Sequence, residues 1–199
     1  FVTGKAPYKN VLVNDLILDK DGKKMSKSKG NTLDALELFD EYGADAVRWY
    51  MYHVSPAWTP TKFDVEGLKE INSKFFKTLQ NVYNFFSLYA NTDDIDASSF
   101  EVSYEDRSNL DKWVLSKLNS VVKEVNKQSD NYHLTKAVRA IQTFVDEDLS
   151  NWYIRRSRRR FWQKDFNMDK KSVYKTTYEI LHTVVKLAAP FAPYITEEI

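Results

Sequence analysis

Five consecutive residues, Lys24-Met25-Ser26-Lys27-Ser28, interleave two cations and two hydroxyls, with glycines at 22 and 30 on either side. Lysine carries a compact charge and three donors on a flexible stem, which suits a phosphate whose charge moves during reaction. Serine hydroxyls and loop amides add neutral donors around an oxyanion. Closed over a triphosphate, such a loop would set its ammonium groups against charge developing on departing pyrophosphate. Donors aimed in this way are worth roughly 3–4 kcal/mol each, by comparison with oxyanion-hole deletions. Glycine hinges would let the loop open again for release. Composition alone favours a plainer reading, a solvated lysine linker.

A second cluster lies late in the chain. The stretch WYIRRSRRRFWQK, Trp152 to Lys164, carries arginines at 155, 156, 158, 159 and 160. On a continuous helix Arg155, Arg158 and Arg159 share one side, and Arg156 and Arg160 form the adjacent row. Guanidinium forks bind phosphates bidentately, and interleaved aromatics stack on unpaired bases. The other reading is internal ion pairing, with Asp146, Glu147 and Asp148 just upstream as partners. The residues themselves leave the two open. Trp152 continues an apolar stripe and is expected in the core. His53, His133 and His182 have no acidic or nucleophilic partner at readable spacing and no metal-ligand pattern, so they read as structural. Tyr83, Phe85 and Phe86 read as packing. Asp45 and Arg48 are spaced to pair with each other and to support the connection between loop and helices.

The elements that must carry these clusters fall into two parts. Asn10–Leu18, NVLVNDLIL, is almost continuously apolar, as a strand buried on both faces reads. Asp21-Gly22 signals a tight turn. Asn31 or Thr32 is expected to cap a helix with Asp34 in its first turn, and Gly43 to close it. A short helix over about 44–52 follows, and SPAWTP, with Pro56 and Pro60, is an irregular connector. From Asp64 the period becomes helical. Four apolar stripes, Leu68–Tyr89, Leu110–Val125, Leu134–Leu149 and Val173–Leu187, are joined by polar links. The spacing predicts an antiparallel helical bundle. The fold class is therefore mainly α, a bundle preceded by a short α/β remnant.

Within the 199 residues, 29 basic side chains nearly balance 28 acidic ones, so net charge names no partner and only local clustering can. Hydrophobic residues make up 43% and aromatic ones 15%, which argues against disorder throughout. The lack of cysteine excludes disulfides and thiolate metal sites and fits a reducing compartment. No apolar run approaches the roughly 20 residues that span a bilayer. The chain starts on Phe1, and Thr196 with the glutamates after it resembles the first turn of a further helix; both lead us to expect a piece of a longer protein.

Lys24–Ser28 spells KMSKS, the signature of the class I aminoacyl-tRNA synthetases. Its context is similar to theirs: an apolar run, an Asp-Gly turn, the signature, KGN opening a helix, then YGADAVRWY. Within the class, GKAPYKNVLVN, SPAWTPTKFD and NWYIRRSRRRFW resemble the isoleucyl-tRNA synthetases, and the resemblance covers essentially the whole chain. It implies a division into 1–31, the end of a Rossmann-type catalytic domain with the signature loop; 32–63, a connecting region that meets the inner side of the tRNA; and 64–199, an anticodon-binding bundle truncated at its C-terminus. It implies that isoleucine is activated with ATP, accompanied by Mg2+, and transferred to tRNA(Ile) in the cytoplasm by a monomer. Lys27 would contact the ATP phosphates with Lys24 assisting, Ser26 and Ser28 would support the loop, and Met25 would pack near the nucleotide. Some of Arg155, Arg156, Arg158, Arg159 and Arg160 would touch RNA backbone. No metal site is expected in this segment. The class's other nucleotide signature, HIGH, is absent, as are the amino-acid pocket and the editing domain, so the chain alone is not expected to aminoacylate. The alternatives are a valyl- or leucyl-tRNA synthetase segment, a non-catalytic RNA-binding helical module, and a purely structural four-helix protein.

Overall fold

The computed structural model describes residues 4–199. Of the apolar run Asn10–Leu18, only Ile17–Leu18 (β1) is strand. Val11, Leu12, Val13 and Leu16 are exposed, so this is not a strand buried on both faces. The reason is a lack of neighbours. β1 pairs in parallel with Thr61–Lys62 (β2), in the register Ile17↔Thr61 and Leu18↔Lys62, and no larger sheet forms among the described residues.

A parallel pair needs a long crossover, and two helices supply it, Ala35–Tyr42 (α1) and Ala44–Val54 (α2). Asp34, not Asn31 or Thr32, caps α1, its Oδ1 accepting from the Leu36 amide at 2.8 Å. Gly43 joins the two helices as expected, at φ 83°, with its N–H donating to Phe39 O at 2.9 Å.

The first apolar stripe is a continuous helical rod. Val65–Ile71 (α3) runs through a π-helical turn, Asn72–Phe76, into Lys77–Thr92 (α4). Gly67 has a packing reason to be glycine, since a Cβ there would lie 3.0 Å from Tyr50 Cε2. The second stripe is Asn109–Asp130 (α5), opened by a reciprocal capping box between Ser108 and Asp111. The third is another composite rod: Leu134–Thr143 (α6), an 11-residue π-helical segment Phe144–Ile154, and Arg155–Phe161 (α7). The fourth is Met168–Ala188 (α8). A last helix, Pro193–Glu198 (α9), starts at Pro193 rather than Thr196, with the proline in its first turn where no N–H is needed.

One core runs through all of these rods, and α2 belongs to it. Trp49 of α2 is fully buried, stacked on Phe75 at 4.0 Å and met edge-on by Phe76 and Phe191. Its indole N–H donates to Gln142 Oε1 at 3.1 Å, which fixes α2 against α6. Asp45 and Arg48 do not pair with each other. Arg48 donates to the carbonyls of Pro190 and Phe191, and Asp45 Oδ2 accepts from the Ile195 amide at 2.8 Å. The cation meets the free carbonyls after α8 and the anion meets the amide end of α9, as the helix dipoles favour.

Candidate functional site

The lysine loop hangs from two polar residues at its base. Asp19 Oδ1 accepts from the amides of Asp21 and Lys23 at 3.0 and 2.8 Å, and Gly22 N–H donates to Asp19 O at 2.9 Å, which forms the expected tight turn. Asn31 Nδ2 donates to Asp19 Oδ2 at 2.7 Å and to Lys24 O at 3.3 Å, while Asn31 Oδ1 accepts from the Ser26 amide at 2.9 Å. Asn31 therefore holds the Asp19 carboxyl below its ordinary range, with the Lys23 amide as the next cause. Lys27–Lys29 make a single 3₁₀ turn closed by Gly30 at φ 65°, a left-handed position that suits glycine.

Within that frame the five signature residues divide. Lys24, Lys27 and Ser28 are exposed. The Ser26 and Ser28 hydroxyls meet each other at 2.8 Å. The half-buried Met25 packs against the main core. Lys23, Lys24, Lys27 and Lys29 enter no salt bridge among the described residues. Lys62 of β2 lies across Gly22, its Cε 3.1 Å from where a Cβ would stand; that flexible side chain could give way, and it is the φ of 80° that favours glycine at position 22. A cavity of about 420 Å³ below the loop is lined by Asp19, Asp21, Asp64 and Glu66 among others. Among the described residues Lys20 is the one cation in that lining, so the cavity is acidic on balance. Among the described residues no group of three or more His, Asp or Glu side chains could hold a metal ion.

The arginine run also divides. Arg155, Arg156, Arg158 and Arg159 are exposed, and Arg160 turns inward. Its Nη1 and Nη2 each lie 2.7 Å from an oxygen of Asp111, and its Nε donates to Asp169 Oδ1 at 2.8 Å. Asp111 also accepts from the hydroxyls of Tyr153 and Ser172 at 2.6 and 2.7 Å. Burial pushes the Asp111 carboxyl up, but Arg160 and the two hydroxyls outweigh it and hold it at about 2. Internal pairing is thus real for one arginine, and its partners are Asp111 and Asp169. The upstream acids do other things. Asp148 sits 3.4 Å from Lys117, and Asp146 is raised to about 6 by burial, with Glu147 adding repulsion.

Trp152 is not core. It is 48% exposed, its ring lies 4.4 Å from the Arg156 guanidinium and 6.3 Å from Trp113, and Tyr153 takes the buried position. The π-helical segment is the cause: its wider turn spaces the buried positions four apart, at Val145, Leu149, Tyr153 and Ser157, and so carries the stripe past Trp152. Arg156 lies on the exposed Trp152, and Lys117 on Trp113, which is half-buried against the core.

The histidines make local contacts. The His53 carbonyl accepts from Arg139 Nε at 2.9 Å, and burial, then Arg139, lowers the ring's affinity for protons. His133 Nδ1 meets Gln128 Oε1 at 3.1 Å, and His182 stacks on Tyr178. Sequence reasoning missed Asp19 and Asn31, although Asx residues flanking a glycine-bounded loop are the sign of such turns. It also missed Asp111, visible as the fourth residue of a Ser-x-x-Asp helix start.

Residues 1–64 match the model of the family described as tRNA synthetases class I (I, L, M and V), and residues 111–199 match the anticodon-binding domain of tRNA ligase. The chain is 48% identical over 195 residues to isoleucine–tRNA ligase of Cytophaga hutchinsonii, with 98% of this chain and 18% of that protein covered. It is 46% identical to the Porphyromonas gingivalis enzyme, with 100% of this chain and 17% of that one covered. It is 48% identical to that of Bacillus thuringiensis, covering 99% and 19%. The chain thus spans less than a fifth of the length of the curated relatives it matches. Among solved structures, a Mycobacterium tuberculosis methionyl-tRNA synthetase bound by methionyl-adenylate shares the fold at TM-score 0.73 and 21% identity, over 91% of this chain and 35% of its own. An Agrobacterium radiobacter K84 LeuRS in a ternary complex with tRNA and LeuAMS does so at TM-score 0.66 and 24% identity, over 93% of this chain and 21% of its own. From the KMSKS loop through the helical bundle, this chain belongs to the class I tRNA synthetases, in the branch of the isoleucine–tRNA ligases.

Proposed function

We propose that this chain is the part of an isoleucine–tRNA ligase that supplies the phosphate-facing loop and the tRNA-binding bundle. The intact protein would activate isoleucine with ATP and pass the aminoacyl group to tRNA(Ile), as a monomer in the cytoplasm. The observation that carries this is the pair of exposed cations, Lys24 and Lys27, which enter no salt bridge among the described residues, on a loop whose backbone is braced at its base. Fixed stems and mobile ammonium ends suit charge that shifts from ATP to departing pyrophosphate. Mg2+ would arrive with the nucleotide as its counterion. Met25, turned toward the core, would anchor the loop rather than touch the nucleotide.

On the bundle, Arg155, Arg156, Arg158 and Arg159 are the residues we assign to RNA backbone. Arg160 is left out because two carboxylates hold its fork. The division at residues 31 and 63 is retained as one of role, since the core itself is continuous from α2 through the bundle. Charging assays with an intact synthetase carrying this segment test the reading. Isoleucine should be transferred to tRNA(Ile) in preference to valine and leucine, and preference for either of those two would overturn the assignment.

A further inference from the structure

We propose that Asn31 and Asp19 form a latch that sets the geometry of the lysine loop, Asn31 acting as a positioning residue that never touches the nucleotide. The proposal rests on the phosphate-facing reading of the loop. Among the described residues, Met25 is the hydrophobic side chain between 20 and 30 that packs against the core, and polar contacts define the rest of the arch. The Asn31 amide does so with three bonds, to the Ser26 N–H, the Lys24 carbonyl and the Asp19 carboxylate. Asp19 gathers the other limb through the amides of Asp21, Gly22 and Lys23, and its own N–H donates to Lys23 O at 2.9 Å. Both limbs therefore converge on one amide–carboxylate pair.

The two loop atoms that Asn31 fixes lie on either side of Met25. Lys24 belongs to the first of these positions and Lys27 follows directly on the second. Their stems leave a fixed backbone, while their ammonium groups enter no salt bridge among the described residues. Without the latch the cations would still be present but spread over many loop conformations, and misplacement of about 1 Å costs on the order of 100-fold in rate. The latch is only half-buried at Asn31, so water can satisfy the groups that a substitution releases and the bundle should fold unchanged.

The test uses an intact synthetase carrying this segment and ATP–pyrophosphate exchange. Asn31→Ala should lower kcat by about 10- to 100-fold while KM for ATP stays within about twofold. The reciprocal double variant, Asp19→Asn with Asn31→Asp, rebuilds an amide–carboxylate pair and keeps an acceptor for the Ser26 amide, but leaves no donor at position 31 for the Lys24 carbonyl. It should recover part of the rate that Asn31→Asp alone loses, since that single variant sets two carboxylates face to face. Hydrogen exchange at the Ser26 amide should accelerate in Asn31→Ala and stay unchanged in Lys27→Ala. Normal kcat in Asn31→Ala beside a slow Lys27→Ala would overturn the latch and leave the loop's role standing. Full activity in both would overturn the loop reading and the latch with it. Unaltered Ser26 exchange in Asn31→Ala, or a double variant no better than Asn31→Asp alone, would also refute the latch.

Discussion

Arg160 at the end of α7 and Asp111 in the first turn of α5 form a two-pronged ion pair, each prong 2.7 Å long, inside the bundle. Asp111 has no exposed surface, and the Arg160 side chain is 13% exposed. The pair joins the two helices, and in doing so it separates one structural arginine from four outward-facing ones.

Removing one partner of a buried pair leaves the other charge stranded. Arg160→Met should therefore cost about 3–5 kcal/mol, read by urea unfolding. Arg155→Gln and Arg159→Gln should stay within about 0.5 kcal/mol of the parent. Each should instead weaken tRNA binding and reduce the slope of log affinity against log salt by about 1. An Arg160→Met protein that kept its stability and lost only RNA affinity would reverse the assignment.

Acid should act on two aspartates in opposite senses. Asp111 titrates at about 2 in the fold against an ordinary 3.8. Its stabilisation, about 2 kcal/mol, is present above the ordinary value and is lost as pH falls toward the folded one. Asp146 is raised to about 6, so its contribution is full below 3.8 and is lost as pH rises through 6. Asp146→Asn should accordingly stabilise the chain near neutral pH, by about 1 kcal/mol after allowance for its partial exposure, and do little near pH 4. Urea midpoints of both proteins across that range check the sign.

The π-helical segment makes adjacent aromatics unequal. Tyr153→Ala should cost about 3–5 kcal/mol, since it empties a fully buried site and strips a hydroxyl from Asp111. Trp152→Ala should cost about 1 kcal/mol or less, the worth of an exposed cation–π contact. A regular helix with Trp152 in the core would give the reverse order in a thermal melt.

Gly67→Ala offers a further check on packing. Alanine is the better helix former by about 1 kcal/mol. Yet its methyl would press on the Tyr50 ring, whose hydroxyl accepts from the Asp64 amide at 2.9 Å at the start of α3. We expect net destabilisation of about 1–2 kcal/mol, measured by urea unfolding.

Much of this was legible in the sequence. The four stripes gave the rods because period 3.6 is a local property of side-chain order, and Gly43 announced the α1–α2 junction. What failed did so for non-local reasons. Asn10–Leu18 has the composition of a buried strand, but composition does not reveal whether neighbours cover it. Trp152 fell on the wrong face because one π-helical segment shifts register without any mark in the pattern. Arg160 looked like its four neighbours, and the approach of Asp111, 49 residues earlier, and of Asp169 sets it apart. The lysine loop was recognisable from five letters, while the residues that brace it, Asp19 and Asn31, lie outside them.

The most direct measurement is ATP–pyrophosphate exchange by an intact synthetase carrying this segment, with Lys27→Ala against the parent. If the ammonium group stabilises charge on departing pyrophosphate, kcat should fall by about 100- to 1,000-fold, with ATP affinity changed only a few-fold. An exchange rate equal to the parent's would contradict the account.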